Sequence, residues 1–137
     1  MTTIQSTHEP HEGRIIRRPH IRPAVLDARE RLIAGREKLR RQHEAGTVGI
    51  QVSNKLTTLF DEIVVSLFES MLADFDDGLA DRFREHVALV PNGGFGRRDS
   101  APYSDIDLML LYHRSVSGEI QQLSRRLITD LGDAGMS

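Results

Sequence analysis

Cysteine is absent from the 137-residue sequence, which excludes disulfide bonds and zinc sites built from thiolates. No apolar run approaches the roughly 20 residues that cross a bilayer as a helix. The N-terminal segment MTTIQSTHEPHEG lacks the basic and then apolar layout of a secretory signal. These absences predict a cytoplasmic protein that makes no membrane contact.

The length leaves room for one domain at most, with a modest core of its own. Charge is unevenly distributed along the chain. Residues 1–50 contain 10 Lys+Arg and 6 Asp+Glu, a net of +4, whereas the remainder contains 8 and 14, a net of −6. This asymmetry is compatible with a partner surface, but mutually compensating helices are the simpler interpretation. We expect no nucleic-acid binding, because only Phe95 and Tyr103 offer aromatic rings near the candidate site.

Residues 1–22 are polar, contain two prolines and a glycine, and show no apolar periodicity. They are predicted to form a flexible basic arm. His8 and His11 lie close together in it, but nothing in the pattern fixes them as metal ligands. The positive charge of the arm comes from four arginines, Arg14, Arg17, Arg18 and Arg22.

Residues 23–86 are predicted to be a helical segment. Pro23 suits the first turn of a helix, and the pattern favours an amphipathic helix over 23–44. A stronger helix follows, with Ser53 or Asn54 as its N-cap. Its apolar residues recur at intervals of three and four and are assigned to the core. They are Leu56, Leu59, Phe60, Ile63, Val64, Leu67, Phe68, Met71 and Leu72.

Three carboxylates, Asp74, Asp76 and Asp77, follow that helix and flank Gly78. Clustered acids can hold a metal, but between two helices they are typical of turns and caps. A short helix is expected over about 78–86.

Residues 87–137 are predicted to contain two strands and a helix. The apolar run 87–90 fits a buried strand, and the alternation over 105–112 fits a second strand. A helix is predicted over 118–131. The fold class is therefore α+β: N-terminal helices, then strand, loop, strand and helix, with a sheet that looks incomplete.

The loop and the start of the second strand, GGFGRRDSAPYSDID at residues 93–107, carry the chemistry. Gly93, Gly94 and Gly96 allow backbone to come close to a ligand, and successive N–H groups in such a turn can form an anion-binding concavity. Arg97 and Arg98 offer forked donors for phosphate oxygens.

Asp105 and Asp107 stand at i and i+2 of the predicted strand, so they project to one face. Carboxylates held together need a compensating cation, and oxygen ligands suit Mg²⁺, which also binds substrate phosphates. Ser104 adds a hydroxyl before the first acid. Together these features predict nucleotidyl transfer. A plain hairpin with surface acids is the structural alternative.

Two common phosphate-binding motifs are excluded. The turn does not end in Gly-Lys-Ser/Thr, as a Walker A loop does, and Asp99 stands where the dinucleotide fingerprint requires its last glycine.

The run from Gly93 to Leu108 resembles the nucleotidyltransferase signature of the DNA polymerase β superfamily, in which paired glycines precede an Asp-x-Asp motif. More narrowly, GGFGRR followed by PYSDIDL is similar to the N-terminal domain of the PII-protein uridylyltransferase/uridylyl-removing family. The preceding long helices and the segment Asp130-Leu131-Gly132 fit as well. The close match covers about 20 residues.

The resemblance implies transfer of UMP from UTP to a tyrosine of the PII signal protein, with Mg²⁺ and release of pyrophosphate. By the motif match, Asp105 and Asp107 are metal ligands and Gly93 and Gly94 line the phosphates. Nucleotide contacts by Arg97, Arg98 and Ser104 are a softer extension.

The sequence also departs from the family. The superfamily places a third carboxylate on a later strand, and no later strand is predicted, since Asp130 and Asp133 lie at a helix end. Neither a His-Asp hydrolase domain nor ligand-sensing ACT domains have room. We therefore expect a truncated chain, inactive by itself. The alternatives are a nucleotidyltransferase with another acceptor or nucleotide, and a non-catalytic regulatory module that retains the fold.

Overall fold

The computed structural model describes residues 21–136, and the chain there is a mixed α+β fold, as the sequence predicts. Its elements in chain order are α1 (Pro23–Glu44), α2 (Gly49–Leu72), α3 (Asp77–His86), β1 (Val87–Pro91), α4 (Gly93–Arg97), β2 (Leu108–Tyr112), a 3₁₀ turn (Arg114–Val116) and α5 (Ile120–Asp133).

Helices α1 and α2 form an antiparallel hairpin. Pro23 occupies the first turn of α1, and the predicted bounds of this helix are confirmed. The side chain of Lys55 donates to Gln42 at one end of the pair, and Arg31 faces Glu62 further along. The residues of α1 that are buried against its neighbours recur at helical spacing; they are Val25, Ala28, Leu32 and Leu39.

The predicted N-cap of α2 is wrong, because the helix begins at Gly49, with Val48 as its N-cap. Ser53 and Asn54 lie within the first turns, where their carbonyl oxygens accept from the hydroxyls of Thr57 and Thr58. The added first turn contains Val52, which is half-buried against the core.

The acidic cluster after α2 caps and anchors helices, as predicted. Asp76 is the N-cap of α3, and its side chain accepts from the backbone N–H of Leu79 at 2.9 Å. Asp74 accepts from Arg22 and Arg126, which lie 52 residues away on either side. The hydrogen bond from Arg126, aided by Arg22, lowers the pKa of Asp74 from its ordinary value.

Strands β1 and β2 pair antiparallel, in a register that runs from Val87 opposite Tyr112 to Pro91 opposite Leu108. The second strand begins three residues later than predicted. The chain leaves β1 after Pro91 and turns at once into α4, so only Asn92 is left to extend the ladder. Its N–H donates to the carbonyl oxygen of Asp107 at 2.8 Å, and nothing pairs with residues 105–106.

The sheet is covered on one face by the helices. Ile106, Leu108 and Leu110 are half-buried, whereas the alternate residues Met109 and Leu111 are exposed, which confirms the predicted alternation. The expectation that β1 is a buried strand is wrong, because its residues are half-buried or exposed. The sheet consists of β1 and β2 alone within residues 21–136, and its second face is exposed.

Helix α5 lies close to its predicted position, shifted two residues toward the C-terminus. It packs against α1 and α2. The buried side chains of α1 to α3 and those of residues 87–136 form one hydrophobic cluster. The predicted boundary at residue 86 therefore separates two stretches of sequence that share a core.

Most of the predicted basic arm, with His8 and His11, lies outside the described residues. Arg22 is described, and it is not part of a free arm: its guanidinium pairs with Asp74 and with Asp130, which is buried inside α5. No helix within residues 21–136 combines the length and the apolar character needed to cross a bilayer.

Candidate functional site

The glycine-rich turn folds into the five-residue helix α4, which begins directly after β1. Gly93 has a φ of +55°, a conformation that L side chains rarely adopt. The N–H of Gly96 donates to the carbonyl oxygen of Asn92 at 2.9 Å. A Cβ atom at Gly96 would lie 2.7 Å from the carbonyl oxygen of Pro91, so the turn needs glycine at both positions.

Asp107 lies directly against this turn. A Cβ atom at Gly93 would lie 2.6 Å from Oδ2 of Asp107, so the carboxylate occupies the space that any other residue would fill. The structure therefore brings together two predicted site residues that are 14 positions apart in the sequence. Asp105 and Asp107 both precede β2, so the prediction that they stand on this strand is wrong. Both acids are exposed, while Ile106 between them is half-buried.

The two arginines of the turn contact other parts of the protein. Nε of Arg97 lies 3.1 Å from Oδ2 of Asp99. Arg98, in the left-handed conformation at the end of α4, places one nitrogen 2.7 Å from Asp61 and another 2.9 Å from the hydroxyl of Thr58. Nucleotide contact by Arg97 and Arg98 stays a prediction, and it requires that these guanidinium groups exchange their present partners.

Ser104 closes the loop that leads to the acids. Its hydroxyl donates to the carbonyl oxygen of Ala101 at 2.8 Å and accepts from the N–H of the same residue at 3.1 Å. A role of Ser104 in nucleotide contact is likewise untested, and in the structure the hydroxyl holds the chain in place before Asp105.

Several contacts that support the turn could not be predicted from the sequence. Phe95, buried in α4, packs edge-to-face on Phe60 of α2 with ring centres 6.2 Å apart. Asp61 and Thr58 lie on the outer face of the amphipathic helix α2. Polar residues are usual on such a face, so the sequence does not mark these two as part of the site. Arg98 is 37 residues from Asp61 and 40 residues from Thr58 in the sequence, so no local pattern predicts these hydrogen bonds.

Binding of a divalent cation by the acid pair stays a prediction. Asp105 and Asp107 offer carboxylate oxygens, and neither is ion-paired to a basic side chain of residues 21–136. Mg²⁺ is commonly held by one or two carboxylates, with water and substrate phosphates completing the shell. Within the described chain no group of three or more Asp, Glu, His or Cys residues is arranged to hold a metal, so a third carboxylate is not found there. Asp130 and Asp133 lie at the end of α5 and not on a strand, as predicted, so neither is assigned as the third carboxylate.

Comparison with curated proteins finds similarity to bifunctional uridylyltransferase/uridylyl-removing enzymes. The enzyme of Erythrobacter litoralis is 29% identical over 116 residues, which is 83% of this chain and 13% of the enzyme. That of Legionella pneumophila is 30% identical over 74% of this chain and 11% of the enzyme, and that of Caulobacter vibrioides is 26% identical over 82% and 12%.

The chain thus spans about an eighth of the length of the curated relatives it matches. The similarity is distant and covers only one part of those enzymes. No protein-family model matches the chain, and no solved structure matches it.

Proposed function

We propose that this chain carries the metal- and phosphate-binding part of a nucleotidyltransferase of the DNA polymerase β type. The observation that carries the proposal is the contact of the Asp107 carboxylate with the backbone of Gly93. It joins the two halves of the motif, the glycine turn and the acid pair, in one place. The names of the similar enzymes support the same class of chemistry.

We further propose uridylyl transfer as the reaction. The hydroxyl of a tyrosine on the PII signal protein attacks the α-phosphorus of UTP, UMP is transferred, and pyrophosphate leaves. Asp105 and Asp107 would hold Mg²⁺, which supplies charge stabilisation for the phosphates. Gly93 and Gly94 would line the phosphates, because the absence of side chains lets the ligand reach the backbone. The cytoplasmic location stays a prediction.

By the motif match, Asp105 and Asp107 would be two of the three carboxylates that the superfamily uses, and no group of three possible ligands is found within residues 21–136. We therefore propose that the chain alone binds Mg²⁺ and UTP weakly and does not turn over. Transfer of labelled UMP to PII by the isolated chain at an ordinary enzymatic rate would contradict this part of the proposal.

Titration calorimetry of the chain with nucleotides in the presence of Mg²⁺ tests the function. We expect UTP to bind in preference to ATP, and Asp105→Asn and Asp107→Asn each to weaken binding at least tenfold. Asp27→Asn is the matched control, because Asp27 is an exposed acid on α1. Binding that is unchanged in both site variants would remove these acids from the metal site.

A preference for ATP would favour a nucleotidyltransferase with another nucleotide. A non-catalytic module that retains the fold is the second candidate, and one observation favours it: the exposed guanidinium groups of Arg97 and Arg98 are ion-paired with Asp99 and Asp61. Loss of both ion pairs without any gain in nucleotide affinity, in Asp61→Asn combined with Asp99→Asn, would support this candidate.

A further inference from the structure

The hairpin carries a pair of histidines at the end opposite the acids. His86 ends α3 and His113 follows β2, and the N–H of His113 donates to the carbonyl oxygen of His86 at 2.9 Å. The two residues thus continue the strand ladder as one more pair. Their imidazole rings lie side by side, with centres 5.3 Å apart and planes tilted by 33°.

His113 makes its hydrogen bonds through Nδ1. Its Nε2 then carries the ring proton and can bind a metal only after the tautomer changes, at the cost of the N-cap bond from Ser115. Nδ1 lies 3.2 Å from the backbone nitrogen of Ser115, from which it accepts as the N-cap of the 3₁₀ turn, and 2.9 Å from the hydroxyl of the same serine. If the ring proton moves from Nε2 to Nδ1, it can be donated to the Ser115 hydroxyl. A metal-bound imidazole usually donates its second N–H to such an oxygen, which fixes the ring.

The environment of His86 also suits a cation. Its Nε2 lies 3.8 Å from a carboxylate oxygen of Glu85, whose side chain is largely exposed. Two imidazoles on one tetrahedral zinc, each with a Zn–N bond of about 2.0–2.1 Å, have ring centres roughly 5 Å apart. The observed separation of 5.3 Å between ring centres is close to this value, and metal binding requires one nitrogen of each ring to turn toward a common point.

We propose that His86 and His113 form a binding site for a borderline divalent transition-metal ion such as Zn²⁺, Ni²⁺ or Cu²⁺. Two imidazole nitrogens are the protein ligands, and water completes the shell. Glu85 adds negative charge beside the ion. Imidazole favours these metals, whereas carboxylate oxygens favour Mg²⁺.

This site is separate from the acid pair. Five residues of each strand lie between the rung of Asn92 with Asp107 and the rung of His86 with His113, so the two rungs are six residue steps, or roughly 20 Å, apart. A metal bound there would join the end of α3 to the segment after β2. It would thus stabilise the pairing register of β1 and β2, and Asp107 directly precedes β2.

Zinc titration of the full chain by calorimetry tests the proposal. His8, His11 and His20 are replaced by glutamine in the background, so that histidines outside the described residues do not contribute. We expect one saturable site. His86→Gln and His113→Gln are each expected to weaken zinc binding at least tenfold, and Ser115→Ala is expected to weaken it less, through loss of the second hydrogen bond of His113.

Two control variants locate the site. His43→Gln alters an exposed histidine on α1 and should leave zinc affinity unchanged, as should Asp107→Asn, which alters the acid pair. Circular dichroism confirms that each variant is folded. Zinc binding that is insensitive to both His86→Gln and His113→Gln, or no saturable binding up to millimolar zinc, would overturn the proposal. Neither outcome depends on nucleotide binding.

Discussion

Gly93 adopts a φ of +55°. The carboxylate of Asp107 occupies the space that a Cβ atom at this position would need. Gly93→Ala should therefore destabilise the fold by at least about 1–2 kcal/mol, the cost of left-handed backbone for an L residue, and should displace Asp107 as well. Urea unfolding of the variant measures the first effect.

Gly118→Ala is the matched control for this change. Gly118 lies before α5, and a Cβ atom there would meet nothing within 4 Å. Its effect should stay within about 0.5 kcal/mol. Equal stability of the two variants would mean that the backbone at Gly93 is not constrained as described.

Single residues of the site differ in how far the sequence could predict them. The contact of Gly93 with Asp107 follows from the motif, because a strand, a tight glycine turn and a returning strand bring the two together. The contact of Arg98 with Asp61 could not be predicted, since it depends on how the turn packs on α2. From the sequence alone, an arginine beside glycines is as compatible with phosphate binding as with an ion pair inside the protein.

At the level of elements, predictions succeeded where local chemistry sets a boundary. Pro23 starts α1 and Asp76 caps α3. They failed where tertiary context decides. Helix α2 begins at Gly49, in a turn whose Val52 is half-buried against the core. Strand β2 begins at Leu108 because β1 has no residues left to pair.

The junction of α1, α2 and α5 gives a prediction on pH. Hydrogen bonds from Arg126 and Arg22 lower the pKa of Asp74. A carboxylate whose pKa is lower in the folded state adds stability above its unfolded pKa, and this contribution is lost as the pH falls through the folded value. Arg126→Gln should therefore raise the pKa of Asp74, as measured by carboxyl carbon NMR.

The same junction should show in unfolding. Between neutral and strongly acidic pH, the wild-type protein should lose more stability than Asp74→Asn does, because the variant has no carboxylate to protonate at this position. An identical pH dependence of the urea midpoint in both proteins would contradict the role given to the ion pairs of Asp74.

Residues 21–136 share one hydrophobic core, so they should unfold in one step. Phe60 is fully buried and contacts Phe95 of the turn, which links α2 to the candidate site. Phe60→Ala should cost about 3–5 kcal/mol. Because helices and hairpin share this core, circular dichroism and the NMR signals of the hairpin should report the same transition.

Val65→Ala is the control, because Val65 lies on the exposed side of α2. It should change stability by less than about 0.5 kcal/mol. Separate transitions for the helices and for residues 87–136 would instead support two independent units divided at residue 86.

The central claim is that the glycine turn and the acid pair form one site for a nucleotide with Mg²⁺. Amide NMR of the isotope-labelled chain, titrated with UTP and Mg²⁺ together, tests it most directly. The account predicts saturable shifts at Gly93, Gly94 and residues 105–107, which are lost without Mg²⁺ and in Asp107→Asn. Saturable shifts that persist in Asp107→Asn, or no shifts at the glycine turn, would contradict it.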